Sequence, residues 1–199
     1  PLELGADLVV HSATKALAGH SDLTAGIVLG SQEAMGRVAA FRRVTGGILD
    51  PAAAWLLGRS LATLDLRVRA QCRAALALAD ALEQRSEVSV VHYPGLESSP
   101  SHARAAKLLA PGLYGSMLAF ELTEGDGATR DFVSRLRLAY DAPSLGGVET
   151  LVSIPAVMSH VGLTPDERLA AGIGPGCVRV ACGIEDPDDL IEDFVRALR

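Results

Sequence analysis

The residues best suited to chemistry lie in one short segment, His11-Ser12-Ala13-Thr14-Lys15. This segment follows an apolar run, 6–10, that predicts a buried strand. Side chains two residues apart in an extended segment point to the same side, so the hydroxyls of Ser12 and Thr14 could bind one phosphate together. Burial makes an amine lose its proton more readily, and a neutral amine, which Lys15 could offer, forms a Schiff base with an aldehyde.

Three explanations of this segment compete. Lys15 could be an ordinary solvated lysine beside two turn hydroxyls, and these five residues alone do not decide against that. A P-loop needs the pattern G-x-x-x-x-G-K-[ST], and no such glycine spacing precedes Lys15. A phosphate-binding turn beside a Schiff-base lysine is what the cofactor pyridoxal 5′-phosphate (PLP) requires. The segment therefore makes PLP a candidate cofactor.

The elements that must position this segment alternate between strands and helices, which predicts an α/β fold. A second buried strand is expected over 25–29, and Ser31 can cap the helix after it. Asp50 and Pro51 predict the start of a helical pattern of about 35 residues, long enough to bend or to link two domains. A domain boundary is expected near Arg67. Further strands are expected over 88–93, 116–122, 148–154 and 178–183, and helices over 102–109, 129–139 and 188–198.

A second charged residue stands out in an apolar surrounding. Arg179 lies inside the apolar run 177–182, which predicts a strand. If that strand is buried, an arginine within it needs an anionic partner. The alternative is an ordinary surface ion pair.

The composition argues against several classes of partner. The formal net charge is −6 and the 18 basic residues form no cluster, so nucleic acid and anionic membranes are not expected partners. No apolar run approaches the roughly 20 residues of a membrane span. The three cysteines have no metal-type spacing and are expected to be buried, reduced side chains in the cytoplasm. These cysteines are Cys72, Cys177 and Cys182.

The five histidines add little to the chemistry. His11 and His20 flank the lysine segment without other metal ligands nearby, so both are expected to make structural hydrogen bonds. His92, His102 and His160 have no convergent partner in the sequence.

Several motifs together resemble the enzymes of Cys/Met metabolism, the transsulfuration family, which includes cystathionine γ-synthase, cystathionine γ-lyase and methionine γ-lyase. The lysine segment resembles the PLP-binding segment of that family, and further matches follow in the family's order along essentially the whole chain. The matching residues are Asp7-Leu8, 12–15, Leu17, 19–22, Gly46-Gly47, Asp50-Pro51, 59–61, Thr63-Leu64, 92–96, 144–150, Pro155-Ala156, 158–160, Arg168-Leu169, 171–173, 178–180 and 183–186.

This resemblance implies a fold and a set of roles. The fold would be that of PLP-dependent transferases, aspartate aminotransferase-like and of fold type I, with 1–67 ending the large domain and 68–199 forming the small C-terminal domain. Lys15 would bind PLP covalently and then move protons on the substrate. Ser12 and Thr14 would bind the phosphate. Arg179 would pair with the substrate α-carboxylate, which suits a bidentate guanidinium, and Ser144 would support the same carboxylate, although by itself it could be a turn cap.

Some features depart from the family pattern. The residue after the lysine is usually bulky, and here it is Ala16. The chain starts at Pro1 in mid-pattern, so we expect a piece of a longer polypeptide, the C-terminal portion of the family fold. The aromatic that stacks on PLP, the Asp that pairs with its ring nitrogen and a glycine-containing phosphate loop would then lie upstream, as would a Tyr and an Arg that a neighbouring subunit supplies.

The resemblance also points to a reaction. Pro143 and the run 88–96 look more like cystathionine γ-synthases, so γ-replacement on an O-acylhomoserine with cysteine, giving cystathionine, is the favoured reaction. A γ-lyase acting on cystathionine or methionine is the alternative. A truncated, non-catalytic PLP-fold scaffold is the alternative of another class. The family's shared active sites imply a homodimer or, commonly, a homotetramer.

Overall fold

A computed structural model of the chain describes residues 1–199 and divides them into two compact units, Pro1–Leu64 and Asp65–Arg199. The division expected from the sequence was 1–67 and 68–199. The assignment of these units to the end of a large domain and to a small C-terminal domain stays a prediction.

The first unit contains two strands followed by two helices. A short 3-10 turn, Leu2–Leu4, leads into strand β1 (Leu8–Ser12), which pairs antiparallel with β2 (Gly26–Gly30). The side chain of Ser31 accepts the N–H of Ala34 at 3.2 Å and starts the next helix, as the sequence predicted. The helices are α1 (Gln32–Thr45) and α2 (Pro51–Leu61).

The two strands of this unit are not buried, so the expectation of two buried strands is wrong. Val10 of β1 is 70% exposed and Leu29 of β2 is 41% exposed. The unit holds only a two-stranded sheet and a small core in which Ala13, Ala18 and Leu57 are the buried members. An apolar run shows that a strand has side chains suited to burial. How much of their surface is buried depends on the helices and strands that cover them.

The long helical pattern is interrupted. Helix α2 ends at Leu61, and α3 runs from Leu64 to Glu83. The hydroxyl of Thr63 donates to the carbonyl of Ser60 at 3.2 Å, and such a local bond competes with the helical ladder. The expected bend is therefore a break between two helices.

The second unit is built on a five-stranded mixed sheet in the order β3-β4-β7-β6-β5. All neighbours are antiparallel except β5 and β6, which are parallel. The strands are β3 (Val88–His92), β4 (Met117–Leu122), β5 (Tyr140–Asp141), β6 (Leu151–Ser153) and β7 (Cys177–Ala181). The helices are α3, α4 (His102–Leu108), α5 (Asp126–Arg135), α6 (Pro165–Ala170) and α7 (Pro187–Ala197), with a 3-10 turn at Pro155–Val157.

Three phenylalanines lie at the centre of this unit's core. Phe120 of β4 contacts Phe132 of α5 edge-on, with ring centroids 5.5 Å apart, and Phe194 of α7 lies 5.7 Å from Phe132. Small and branched residues of α3, such as Ala75 and Leu78, complete the same cluster. The helices and the sheet therefore share one apolar core, which gives the sheet a rigid backing.

The three cysteines are buried and unpaired, as predicted. Burial raises the pKa of Cys177 to about 11 and that of Cys182 to about 12. These thiols therefore behave as small apolar side chains. No helix combines the length and the apolar character needed to cross a membrane.

Candidate active site

Lys15 lies in a turn that begins where β1 ends. The strand stops at Ser12, and residues 13–18 turn back on themselves. The backbone N–H of Lys15 donates to the carbonyl of Ser12 at 3.3 Å, and the carbonyl of Lys15 accepts from Gly19 at 2.8 Å. These bonds fix the backbone on both sides of the lysine, whose side chain is partly buried.

The turn is also attached to helix α2 through apolar contacts. Ala13 and Ala18 are fully buried and belong to the same small cluster as Leu57 of α2. The N–H of Ala18 donates to the carbonyl of Ala13 at 2.9 Å. Because Ala13 and Ala18 are buried on either side of Lys15, the backbone at the lysine is held in place. A catalytic side chain needs such a fixed backbone.

Thr14 closes the loop that follows β1. Its N–H donates to the carbonyl of Ala25 at 3.1 Å, and its hydroxyl accepts the N–H of Ala25 at 2.9 Å. The hydroxyl also donates to the same carbonyl, at 3.3 Å. The expectation that Ser12 and Thr14 share one extended segment is wrong, because the strand ends between them.

Gly19 and Ser21, which follow the lysine in the chain, have left-handed backbone conformations. Gly19 has a φ of 69°, which glycine adopts at no steric cost, and Ser21 has a φ of 56°, which is uncommon for a residue with a side chain. His20, between them, makes the structural hydrogen bond expected of it, from Nδ1 to the carbonyl of Ala18 at 2.8 Å. His11 lies exposed on β1. Strained backbone of this kind concentrates at functional sites.

The groups on this turn fit PLP. Lys15 and Thr14 lie on this turn, and the exposed Ser12 precedes it at the end of β1. An amine can bind an aldehyde, and hydroxyls can bind a phosphate. Thr14 would have to redirect its proton from the carbonyl of Ala25 in order to donate to a phosphate.

Arg179 occupies the middle of β7, in the second unit. It lies in register with Ala119 of β4 on one side and Ser153 of β6 on the other. Its Nη2 donates to the carbonyl oxygens of Pro143, at 2.7 Å, and Ser144, at 3.3 Å. Its Nε is buried and has no hydrogen-bond partner.

The partners of Arg179 differ from the expected ones. An anionic partner was expected if the strand is buried, and the acceptors found are two neutral carbonyls. Both carbonyls accept from Nη2, and a guanidinium carries five N–H donors, so the group retains capacity for a carboxylate. Ser144 contributes its carbonyl, and a role for its hydroxyl stays a prediction.

Gln71 was not predicted from the sequence as a site residue. This residue of α3 is 1% exposed, and its Nε2 donates to the carbonyl of Gly147 at 2.6 Å. Gly147 lies in the same loop as Pro143 and Ser144, which provide the carbonyls for Arg179. A polar residue among Cys72, Ala74 and Ala75 on a buried helical stripe was the available sequence indication.

A second buried network was also missed. The hydroxyl of Thr150 donates to the carboxylate of Glu185 at 2.7 Å and accepts the N–H of Gly183 at 2.9 Å. Thr150 is fully buried. This network fastens the residues before β6 to the chain leaving β7, the strand of Arg179.

The remaining histidines make isolated contacts. His92 lies 3.0 Å from the Glu121 carboxylate, and Nδ1 of His102 lies 3.0 Å from the carbonyl of Pro94. His160 bonds to its neighbour Ser159. None of these contacts involves Arg179 or Lys15.

Comparison with known proteins decides the family. The sequence model of the Cys/Met metabolism PLP-dependent enzymes matches residues 1–199. The chain belongs to this family. The family uses PLP, so the cofactor and the fold type I α/β architecture expected from the sequence are confirmed for it.

Individual relatives carry several activities. L-Methionine γ-lyase of Pseudomonas putida is 47% identical over 201 residues, covering 100% of this chain and 50% of the relative. Chloroplastic cystathionine γ-synthase 1 of Arabidopsis thaliana is 43% identical over 99% of this chain and 35% of its own length. The crystal structure of cystathionine γ-lyase from yeast matches with a TM-score of 0.93 and 42% identity, covering 100% of this chain and 51% of that one. The chain thus spans about half the length of the P. putida relative and of the yeast structure, and a smaller share of the plant synthase.

Proposed function

We propose that the protein acts in sulfur amino-acid metabolism as a PLP-dependent enzyme that replaces the γ-substituent of an O-acylhomoserine with cysteine, giving cystathionine. The observation that carries the PLP-dependent part of this proposal is the anchored turn of Thr14 and Lys15, which follows Ser12. The family match over the whole chain supports it.

Lys15, Ser12 and Thr14 would hold the cofactor. PLP, when bound, supplies an electron sink for negative charge at the substrate Cα. The amine of Lys15, freed when the substrate amine takes its place, would accept the proton from Cα. The same amine would then remove a proton from Cβ, and this removal allows the γ-substituent to leave.

Arg179 would hold the substrate by its α-carboxylate. The guanidinium is fixed through Nη2, and its five N–H donors leave capacity to pair with a carboxylate. Ser144, whose carbonyl already contacts the guanidinium at 3.3 Å, would support the same carboxylate. Fixing that end of the amino acid orients its Cα–H bond for proton transfer.

γ-Elimination is the second candidate reaction, with cystathionine or methionine as substrate. The 47% identity to a methionine γ-lyase favours it. Pro143 and the run 88–96 favour γ-replacement. The residues described above serve both reactions, since both begin with proton removal at Cα and loss of the γ-substituent.

One assay separates the two reactions. The protein, expressed from its whole coding sequence, is given O-succinylhomoserine with and without cysteine. Cystathionine formed faster than 2-oxobutanoate supports γ-replacement. Release of 2-oxobutanoate from cystathionine or methionine, with no cystathionine formed from cysteine, contradicts it and supports the lyase.

The lysine assignment has a matched control. Lys15 and Lys107 are the two lysines of this chain, and Lys107 is exposed near the end of α4. Lys15→Ala is expected to lower kcat by at least about 100-fold, and Lys107→Ala to leave it unchanged. A fully active Lys15→Ala protein would overturn the assignment.

A non-catalytic scaffold is the third possibility, and cofactor uptake tests it. The purified protein is expected to be yellow, and borohydride is expected to fix the cofactor on Lys15. A colourless protein that takes up no PLP supports the scaffold instead.

We further propose a cytoplasmic location and a homodimer or homotetramer, to be checked by cell fractionation and by light scattering of the purified protein.

A further inference from the structure

The segment 142–147, in the loop between β5 and β6, is held at both of its ends. At its start, the N–H of Ala142 donates to the carbonyl of Val152 at 2.9 Å. At its end, the carbonyl of Gly147 accepts from the side chain of Gln71 at 2.6 Å. Between these two points lie the carbonyls of Pro143 and Ser144, the acceptors for Arg179.

Two glycines make the backbone flexible at the Gly147 end of this segment. Gly146 has a φ of 81°, and two successive glycines give the backbone more freedom than any other pair of residues. A Cβ at Gly147 would come within 2.5 Å of the Glu149 carboxylate, so the chain there is also closely packed. The amide of Gln71 is the side chain that fixes this flexible end to helix α3.

Gln71 is placed for this task by its burial. At 1% exposure its amide cannot exchange the Gly147 carbonyl for water without moving the loop. Helix α3 is itself held in the main core through Ala75 and Leu78. The position of the loop is thereby tied to the rigid core of the unit.

We propose that Gln71 is a positioning residue for Arg179, acting through the 143–147 loop, and that it thereby sets the affinity of the protein for the α-carboxylate of its amino-acid substrate. This inference rests on the proposed function, because it takes Arg179 as the carboxylate-binding group. Gln71 itself makes no hydrogen bond to Arg179; it holds the carbonyls that hold the guanidinium.

The test compares two ligands that differ only in the carboxylate. Norleucine carries an α-amino and an α-carboxylate group but no γ leaving group, and pentylamine is the same molecule without the carboxylate. Binding of each to the PLP-loaded protein is followed by the change in cofactor absorbance. The variants are Gln71→Met, which keeps the length but loses the donor, and Gln71→His, whose Nε2 lies the same number of bonds from Cα. Cys72→Ala, at the adjacent buried position of α3, is the control.

The expected result is selective. Gln71→Met weakens norleucine binding by about tenfold, the effect of a lost hydrogen bond, and changes pentylamine binding by less than about twofold. Gln71→His restores most of the norleucine affinity, and Cys72→Ala changes neither ligand.

Two results would overturn the inference. One is unchanged norleucine binding in Gln71→Met. The other is an equal loss of affinity for norleucine and pentylamine. That result would indicate general damage to the fold and not a specific effect on the position of the Arg179 guanidinium. A wild-type protein without cofactor absorbance would instead overturn the proposed function, so the two failures are distinguishable.

Discussion

The carboxylate of Asp193 accepts the backbone N–H of Leu138 at 2.9 Å and so ties helix α7 to the chain that leaves α5. The N–H groups of Arg137 and Ala139 bind the same carboxylate, as does the side chain of Arg196. Asp193 is 6% exposed. These three backbone N–H groups bind a carboxylate instead of continuing a helix, which explains why α5 ends at Arg135 although the sequence predicted helix to 139.

Asp193→Asn is expected to lower the free energy of unfolding by about 1–3 kcal/mol at neutral pH. Burial alone raises the pKa of Asp193, but the N–H groups of Leu138 and Arg137 and the Arg196 side chain outweigh it, so the pKa is lowered. A lowered pKa means that the fold favours the ionised form. The stabilisation is complete above the ordinary aspartate pKa of about 4 and is lost as pH falls through the lower folded-state value.

Urea unfolding at several pH values checks this. The difference between wild type and Asp193→Asn is expected to be large at about pH 7 and to shrink on acidification below about pH 4. Asp65→Asn is the control, since Asp65 forms an exposed pair with Arg69 and its loss is expected to matter little. A difference that grows on acidification would contradict the prediction.

Thr150→Val is expected to destabilise the second unit by about 2 kcal/mol or more, because it leaves the N–H of Gly183 and an oxygen of Glu185 without partners in a buried site. Thr150→Ser keeps the hydroxyl and is expected to cost about 1 kcal/mol or less. Unfolding midpoints in urea measure both. A midpoint for Thr150→Val equal to or above that of Thr150→Ser would contradict the prediction that the hydroxyl provides the stabilisation.

Gly183→Ala and Gly127→Ala are expected to have opposite effects. A Cβ at Gly183 would lie 2.2 Å from the carbonyl oxygen of Val148, so the backbone must shift, at a cost of about 3 kcal/mol. A Cβ at Gly127, in the first turn of α5, meets nothing within 4 Å, and alanine there is expected to add about 0.5 kcal/mol. Thermal unfolding of both variants provides the comparison.

Local rules explain what could be predicted. The caps at Ser31 and Asp50 depend on residues two or three positions away, and the structure has both. The lysine turn was found because Ser12, Thr14 and Lys15 are close in sequence. β5 was missed because a strand of two residues, Tyr140–Asp141, has no periodicity to detect.

Long-range partners explain what could not be predicted. Gln71 bonds to Gly147, 76 residues away, and Asp193 bonds to the backbone of Leu138, 55 residues away. Nothing near either polar residue in the sequence identifies its partner. The exposure of Val10 on β1 has the same origin, since a strand's burial is decided by elements distant in sequence.

Arg179→Lys is expected to raise KM for the amino-acid substrate by about 10- to 100-fold, the effect of losing a charge-assisted hydrogen bond. Lysine keeps the positive charge but lacks the planar fork, so it cannot bond to the carbonyl of Pro143 and grip a carboxylate bidentately at the same time. Arg69→Lys, at an exposed position on α3, is the matched control and is expected to leave KM unchanged. Steady-state kinetics with a single amino-acid substrate measures both variants. An unchanged KM in Arg179→Lys would contradict the assignment of Arg179 to the carboxylate site. A lysine ammonium is a point charge, and it should not replace a bidentate guanidinium without a loss of affinity for the carboxylate.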